Sequence, residues 1–408
     1  MEKLAKNKSG EILGRVLMLV VVMFVFLVSL KLMSSGFKMM GKDTAESIMG
    51  VTSNPFVGLF VGLLATALVQ SSSTTTAMIV AIVASGSLPL ASAVPMIMGA
   101  NIGTSVTSTI VALGHLSDKS EFKKAISAAT VHDFFNLIVV AILFPLELAF
   151  GVLSTPGQLV ADMFYVDGAE KTEIFSIMGV TVKPAAKFLI SLFNKNVVIV
   201  LIVAVGLLFV SLKAFTSILK KILVGNSQKN LEKYVFAKPI QSLTWGMLIT
   251  AGVQSSSVTT SLAVPLVAAN KITLRKAFPF LMGANIGTTV TALLAAMSGT
   301  EAGLAIALCH LFFNLFGVLI LFPVKIFRNI PIWCAETLGA AAMKNRFIGF
   351  AYVLVVFFLI PFALISTTTD ATATAQAAVP QTEVVSDTAV VTDSAATVEV
   401  TEEVKSSL

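Results

Sequence analysis

Gln70-Ser71-Ser72-Ser73-Thr74-Thr75-Thr76 is a run of seven consecutive polar residues set between the largely apolar stretches 63–69 and 77–84. At about 1.5 Å rise per residue each flank supplies roughly 10–12 Å of helix, against a bilayer core of about 30 Å. Neither flank spans by itself. The pattern predicts a re-entrant hairpin, or a helix broken at the polar run. Broken backbone at membrane depth leaves amide and carbonyl groups in need of partners, which it finds only in protein or in a wet cavity.

The run is not unique. Gln254-Ser255-Ser256-Ser257 repeats Gln70-Ser71-Ser72-Ser73 at a distance of 184 residues. Gly99-Ala100-Asn101-Ile102-Gly103-Thr104 recurs at Gly283 to Thr288 with the same offset, as do Pro55 at Pro239, Gly62 at Gly246 and Pro95 at Pro279. From Pro55 to Thr107 the ungapped pairing keeps 28 of 53 residues. Further on, His132 and Asn136 recur as His310 and Asn314, and Pro145 as Pro323, with the offset reduced to 178. The extra residues fall in the polar link 114–124. Internal duplication with interrupted helices is the pattern of secondary transporters, whose sites form where the repeats meet.

The rest of the chain agrees with a membrane setting. Of 408 residues 56% are hydrophobic and 12% charged, with a mean hydropathy of +0.91, whereas soluble proteins carry about 25% charged residues. Continuous apolar runs at 12–33, 88–113, 125–150, 196–214, 302–322 and 347–366 read as spanning helices and not as alternating barrel strands. The fold class expected is an all-α polytopic membrane protein. The first run is too long for the apolar part of a secretory signal and is read as a retained helix.

The net charge of +6 does not indicate nucleic acid. Lys3, Lys6, Lys8 and Arg15, then Lys213, Lys220, Lys221, Lys229, Lys233 and Lys238, sit beside apolar helices, where cytoplasmic segments carry them. The N-terminus is therefore expected in the cytoplasm. Cys309 and Cys334 give no disulfide framework, and His115, His132 and His310 are too scattered for a zinc site. No cofactor is expected. The chain divides into 1–50 with the first helix, 51–150 as repeat 1, and 151–235 as a connection whose first part, 151–195, reads mostly as loop. Residues 236–325 form repeat 2, 326–366 carry the last helix, and 367–408 read as a disordered acidic tail with seven acids against Lys405.

The side chains of the repeated motifs define the chemistry on offer. Hydroxyl and amide oxygens with freed carbonyls suit a small alkali cation, and hydroxyls with helix N-terminal N–H groups suit an oxyanion. Neither motif holds a Lys or Arg, so a bound dianion would need cations to balance it, which couples the two electrostatically. Each Gln is followed 31 residues later by an Asn (Gln70 by Asn101, Gln254 by Asn285), which adds Asn101 and Asn285 to the candidate anion ligands and Gln70 to the cation ligands. Small residues and hydroxyls also pack membrane helices. Gly99, Gly103, Gly283 and Gly287 are read in that packing role, and His132 and His310 as packed, hydrogen-bonded histidines. Asp133 is an acid inside an apolar run with Leu311 as its counterpart. At about 2.5–3.5 kcal/mol for a charge in mid-bilayer it requires a partner or a cation. A hydrolase is disfavoured, because Ser71 to Ser73 have no base partner at recognisable spacing. A non-transporting sensor or scaffold stays open as a reading of another class.

At QSSSTTT, QSSSVTT, both GANIGT elements, the stretch Asp118 to Ala125 and ATVHDFFN from Ala129 to Asn136, the sequence resembles the type II sodium–phosphate cotransporter family in a bacterial form. The resemblance implies two inverted-topology repeats and sodium-coupled import of inorganic phosphate by alternating access across the bacterial inner membrane. It implies phosphate ligands at Ser71, Ser72, Ser73, Ser255, Ser256 and Ser257. Sodium would use Gln254, Ser255, Thr288 and Thr291, with Asp118, Asp133 and Asn136 at or beside further sodium positions. An aspartate at the place of Asp133 goes with electrogenic transport in the family. Ala284 stands where animal members have a serine, and His115 replaces a glutamine. Partners expected are phosphate, sodium and the lipid bilayer, with a homodimer left open and the same scaffold open to another oxyanion such as arsenate or sulfate.

Overall fold

The structure, a computed structural model, describes residues 2–104, 106–165, 180–223, 235–297 and 300–366. The expected acidic tail, 367–408, and the basic link at 224–234 lie outside the described residues. In chain order, α1 (Glu2–Met39) and α2 (Lys42–Thr52) precede the first repeat: α3 (Pro55–Val69), α4 (Ser72–Ser85), α5 (Leu90–Gly103), α6 (Val106–Leu113) and α7 (Lys119–Phe150). The connection holds α8 (Ser154–Phe164), α9 (Val182–Leu192) and α10 (Val197–Leu223). The second repeat is α11 (Pro239–Val253), α12 (Ser256–Ala268), α13 (Leu274–Ala296) and α14 (Glu301–Leu321). After it come α15 (Lys325–Lys344) and α16 (Phe347–Leu354), which continues through a π-helical turn, Val355–Leu359. No strand occurs among the described residues.

Among the described residues seven helical stretches are long and apolar enough to cross a bilayer: Leu17–Met39, Leu90–Leu113 (α5 and α6 taken together), Lys119–Phe150, Val197–Phe215, Leu274–Ala296, Glu301–Leu321 and Phe347–Ser366. The chain is a multi-pass membrane protein. Leu274–Ala296 has no counterpart among the apolar runs read from sequence. Its Asn285, Thr288, Thr289 and Thr291 hold its mean hydropathy at 1.4, and these residues face protein, with 78% of the window buried.

The connection 151–195 also departs from the expectation of a loop, because it is partly helical. Gly151, at φ +61, ends α7. The Glu147 carboxylate turns back to accept the Leu153 N–H at 2.6 Å and the Ser154 N–H at 3.3 Å, so it satisfies backbone donors where α8 begins. Gly157 and Ala161 then let α8 lie close against α14, where Ala161 joins Ala305 and Leu308 in a small apolar cluster. Small residues carry little hydrophobic signal, so this contact was not legible from pattern.

Each repeat begins with the same local logic. Pro55 and Pro239 occupy the first helical position, where a missing N–H costs nothing. α3 and α11 are each 15 residues, about 22 Å, and stop at a glutamine in the left-handed region with the same backbone angles, φ 55 and ψ 29 for both Gln70 and Gln254. A non-glycine residue held there costs about 1 kcal/mol or more, and the cost is met twice at equivalent positions. The next residues, Ser71 (φ −151) and Ser255 (φ −149), are extended, and α4 and α12 start directly after them. The breaks are thus two residues long. The remaining hydroxyls of the polar run, Ser72 to Thr76, form the first turns of α4.

Glycines fix how each hairpin meets its partner helix. A Cβ on Gly62 would collide with the Met96 carbonyl, and one on Gly99 with the Leu59 carbonyl. Equivalent collisions occur at Gly246 with Phe280 O and at Gly283 with Leu243 O. The α3–α5 and α11–α13 pairs therefore pack backbone on backbone, the source of attraction left to helices in a medium as apolar as their side chains. Between the repeats the arrangement is crossed: α4 lies against α13 and α14, and α12 against α6 and α7. The copies differ after the GANIGT asparagine. α5 ends at Thr104, whose N–H reaches Asn101 O at 3.4 Å, whereas its counterpart Thr288 sits inside the unbroken α13.

Candidate functional site

The two breaks touch. Ser73, in the first turn of α4, donates its hydroxyl to the Gln254 carbonyl at 2.9 Å, across 181 residues of sequence. The six motif serines divide by what their hydroxyls already do. Ser71 caps α4, accepting the Thr74 N–H at 3.2 Å and pairing with the Thr74 hydroxyl at 2.8 Å. Ser255 caps α12 in the same way, accepting the Val258 N–H at 3.4 Å. Ser73 ties the repeats together. The hydroxyls of Ser72, Ser256 and Ser257 form no hydrogen bond with any described residue, nor do the side-chain amides of Gln70 and Gln254. Ser72 is 5% exposed, Ser256 3% and Gln254 6%, while Gln70 is open on its own side of the break. Uncommitted oxygens thus lie at the N-termini of α4 and α12, each carrying roughly half a positive charge, with no Lys or Arg in either motif.

Thr288 and Thr291 stand on α13 one and two turns beyond Asn285 and are buried. Gly287 presses on Met247 O and against Thr250 and the Ala251 N–H, one turn before Gln254, so α13 passes at the level of the break. Thr288 donates to Ala284 O at 2.9 Å and keeps its lone pairs; the Thr291 hydroxyl is buried without a hydrogen-bond partner among the described residues. Gly103 meets Thr66 in the same fashion in repeat 1. The glycines of both GANIGT elements thus serve helix packing.

A chain of buried amides and imidazoles also crosses between the repeats. His132 Nε2 pairs with Asn285 Oδ1, Asn285 Nδ2 donates to Asn136 Oδ1 at 2.8 Å, and Asn136 Nδ2 donates to Asn101 O at 2.8 Å. On the other side His310 Nε2 lies 3.3 Å and Asn314 Nδ2 3.4 Å from Asn101 Oδ1. Each histidine thus engages the GANIGT asparagine of the opposite repeat. The site expectation placed Asn101 and Asn285 on the anion and Asn136 by sodium. In the structure both ends of Asn285 are spent on repeat 1, and Asn101 Nδ2 is held by Ile97 O at 2.8 Å. Breaking such a network orphans buried polar groups at about 1–3 kcal/mol each, so these residues hold the frame in which the breaks meet.

Asp133 lies on α7 one residue past His132, fully buried, and accepts a hydrogen bond from the Tyr352 hydroxyl at 3.2 Å. Tyr352 was not picked out from sequence. The signal was available: a buried acid in an apolar helix needs a donor, and few tyrosines are present. A hydrogen bond to a charged group contributes about 1.5–3 kcal/mol. Tyr352→Phe is therefore expected to lower the melting temperature of the purified protein in sodium-free detergent buffer, read by scanning fluorimetry; an unchanged transition would show that the phenol does not support the carboxylate.

Asp118 stands apart from the group with which it was placed. It is the N-cap of α7, exposed, with Oδ1 accepting the Ser120 N–H at 2.7 Å and the Glu121 N–H at 2.9 Å. Those backbone bonds, that of Glu121 first, hold its carboxyl below the usual range. The physical reason for the separation is sequence position: Asp118 precedes Asp133 and Asn136 by 15 and 18 residues, about 22–27 Å of rise along α7.

Similarity to known proteins follows the same residues. The model of the Na+/Pi-cotransporter family matches residues 25–155 and 207–327, two blocks that contain both breaks and both GANIGT elements. Sodium-dependent phosphate transport protein 2B of Homo sapiens is 32% identical over 463 aligned positions, 88% of this chain and 67% of that protein. Protein 2A of Ovis aries is 33% identical, over 87% of this chain and 68% of its own length. Protein 2A of Rattus norvegicus is 34% identical, over 83% and 65%. No solved structure matches. With a family model covering more than half of the chain and the repeated polar breaks inside the matched blocks, the chain belongs to the Na+/Pi-cotransporter family.

Proposed function

We propose that the protein is a sodium-coupled symporter that imports inorganic phosphate by alternating access, with net movement of positive charge. The observation that carries this reading is the contact of the two breaks through Ser73 and Gln254, with uncommitted hydroxyls on Ser72, Ser256 and Ser257 beside it and no cationic side chain in the motifs. Phosphate bound there lacks a protein counter-charge, so sodium on the Gln254 amide, Thr288 and Thr291 oxygens supplies it. The relatives' names, sodium-dependent phosphate transport proteins, point to the same pair of solutes.

Charge distribution supports an inverted arrangement of the repeats. Lys119, Lys123 and Lys124 lie at the start of α7, Lys271, Arg275 and Lys276 around the start of α13, and Lys325 and Arg328 follow α14. By the positive-inside rule these ends are cytoplasmic. α7 then begins on the side where its counterpart α14 ends, and α13 begins where the α5–α6 pair ends. The N-terminus, with its four early cations, lies on that side of the inner membrane as well.

Asp133, present in one repeat only, is the acid that sets the charge carried per cycle. Each net charge adds about 2.3 kcal/mol of driving force per 100 mV. Asp133→Gly is expected to abolish the phosphate-evoked current across a planar or solid-supported membrane while part of the radiolabelled uptake persists; a current of undiminished size per phosphate would remove Asp133 from this role. The reading as a whole is tested by phosphate uptake into proteoliposomes under separate sodium, potassium and proton gradients. Uptake only under sodium is expected, and uptake indifferent to sodium would end the coupling claim. Competition by arsenate and sulfate in the same assay ranks the oxyanions.

A further inference from the structure

A cavity away from the breaks carries the positive charge that the central site lacks. It has a volume of about 550 Å³, within the range of ligand pockets, and opens between the first turns of α7, the loop joining α12 to α13, and α15. Lys123 and Lys124, both half-buried, line one wall. Ser120, Asn270 and Thr273 add polar groups, and Glu336 is the one acid among the lining residues. Neither lysine forms a salt bridge with a described residue. Their backbone is fixed, because Gly339 of α15 packs directly on the Lys123 carbonyl and the Ser127 hydroxyl, which itself donates to Lys123 O at 2.9 Å. The start of α13 borders the same space, since Thr273, its N-cap, and Leu274 line the cavity, and the Thr273 side chain caps none of the first N–H groups.

We propose that this cavity is a second oxyanion site, which holds a phosphate group on Lys123 and Lys124. Two lysines at adjacent positions of α7 line one concave, half-buried wall with Glu336 as the single acid, and an anion bound in the cavity is attracted by both. The site is separate from the breaks. Val267, which lines it, is 11 residues along α12 from Ser256, about 16 Å. It also obeys different electrostatics: the central site depends on sodium to accept a dianion, whereas this one brings its own cations and binds without sodium. The phosphate group has two sources, free inorganic phosphate at the basic end of the molecule or the head group of an anionic lipid at the same level of the bilayer.

The test uses the full-length protein in nanodiscs. In phosphatidylcholine discs and sodium-free choline buffer of low ionic strength, equilibrium binding of radiolabelled inorganic phosphate reads the free-anion source. Native mass spectrometry of discs that also contain phosphatidylglycerol reads the lipid source as retained phosphatidylglycerol. Wild type is expected to bind in one arm or both, and the Lys123→Gln/Lys124→Gln variant to lose about tenfold or more in the same arm. The Lys123→Arg/Lys124→Arg variant keeps both charges and should bind as wild type does. Absence of binding in both arms for wild type, or equal binding by the glutamine variant, overturns the proposal. Because these measurements exclude sodium and transport, failure of the symporter reading would appear in the uptake assay and leave this result untouched.

Discussion

Gly283→Leu should yield no assembled transporter. The position a Cβ would take on Gly283 is already filled by the Leu243 carbonyl, with the Met247 amide beside it at 2.9 Å, and both are backbone atoms of α11 that no rotamer change can move. Overpacking by side chains costs about 1–3 kcal/mol where neighbours can shift. Here the whole α11–α13 pair must separate, and with it the register that puts Gly287 against Thr250 and places the Gln254 break. The expected loss exceeds about 5 kcal/mol, the upper end of single-residue effects and the lower end of total stability. Fluorescence-detected size-exclusion chromatography of the detergent-extracted protein is the measurement. A monodisperse peak at the wild-type position with a wild-type melting temperature would show that the helices are not in backbone contact. Gly206, around which a Cβ meets nothing, serves as the control: Gly206→Ala should elute as wild type.

The same contact explains how much of the fold was legible. Hydropathy gave the membrane class, and the exact recurrence of QSSS and GANIGT gave the duplication and the place of the breaks. Those signals are local and strong. Three things were not readable. The span Leu274–Ala296 hides its membrane character behind Asn285 and three threonines that face protein. The helix Ser154–Phe164 is held by a buried carboxylate and by Gly157 and Ala161, none of which announces a helix contact. The cross-repeat pairing of His132 with Asn285 and of His310 with Asn101 depends on which faces of distant helices meet, a question that one-dimensional spacing does not pose.

For the site, sequence supplied the residue types but not their division of labour. By residue type alone the six serines are equivalent ligands. The structure commits Ser71 and Ser255 to capping, Ser73 to joining the repeats, and leaves Ser72, Ser256 and Ser257 uncommitted. It separates Asp118 from Asp133 and supplies Tyr352, from the last helix, as the partner of the buried acid.

That division leads to the largest functional effect. Ser256→Ala/Ser257→Ala removes two uncommitted hydroxyls from the start of α12 while the cap, Ser255, and the Ser73–Gln254 contact remain. A hydrogen bond to a charged oxygen contributes about 1.5–3 kcal/mol, so at the proposed phosphate site loss of the pair should cost roughly 3–6 kcal/mol, or about 10²–10⁴ in apparent affinity. Sodium-driven uptake is expected to vanish at phosphate concentrations that saturate wild type, with melting temperature and elution unchanged. Ser71→Ala/Ser255→Ala is the contrast: it should lower stability through lost caps before it touches affinity. Near-normal kinetics in the first variant would return these serines to helix packing.

The central claim is that phosphate at the joined breaks borrows its counter-charge from sodium. The direct measurement is equilibrium phosphate binding to the full-length Lys123→Gln/Lys124→Gln protein, which silences the basic cavity, across a sodium titration at constant ionic strength with choline. Binding should be absent without sodium and tighten as sodium rises, and phosphate should tighten sodium binding by the same factor, as linkage requires. Phosphate affinity that stays level from zero to saturating sodium would contradict the account.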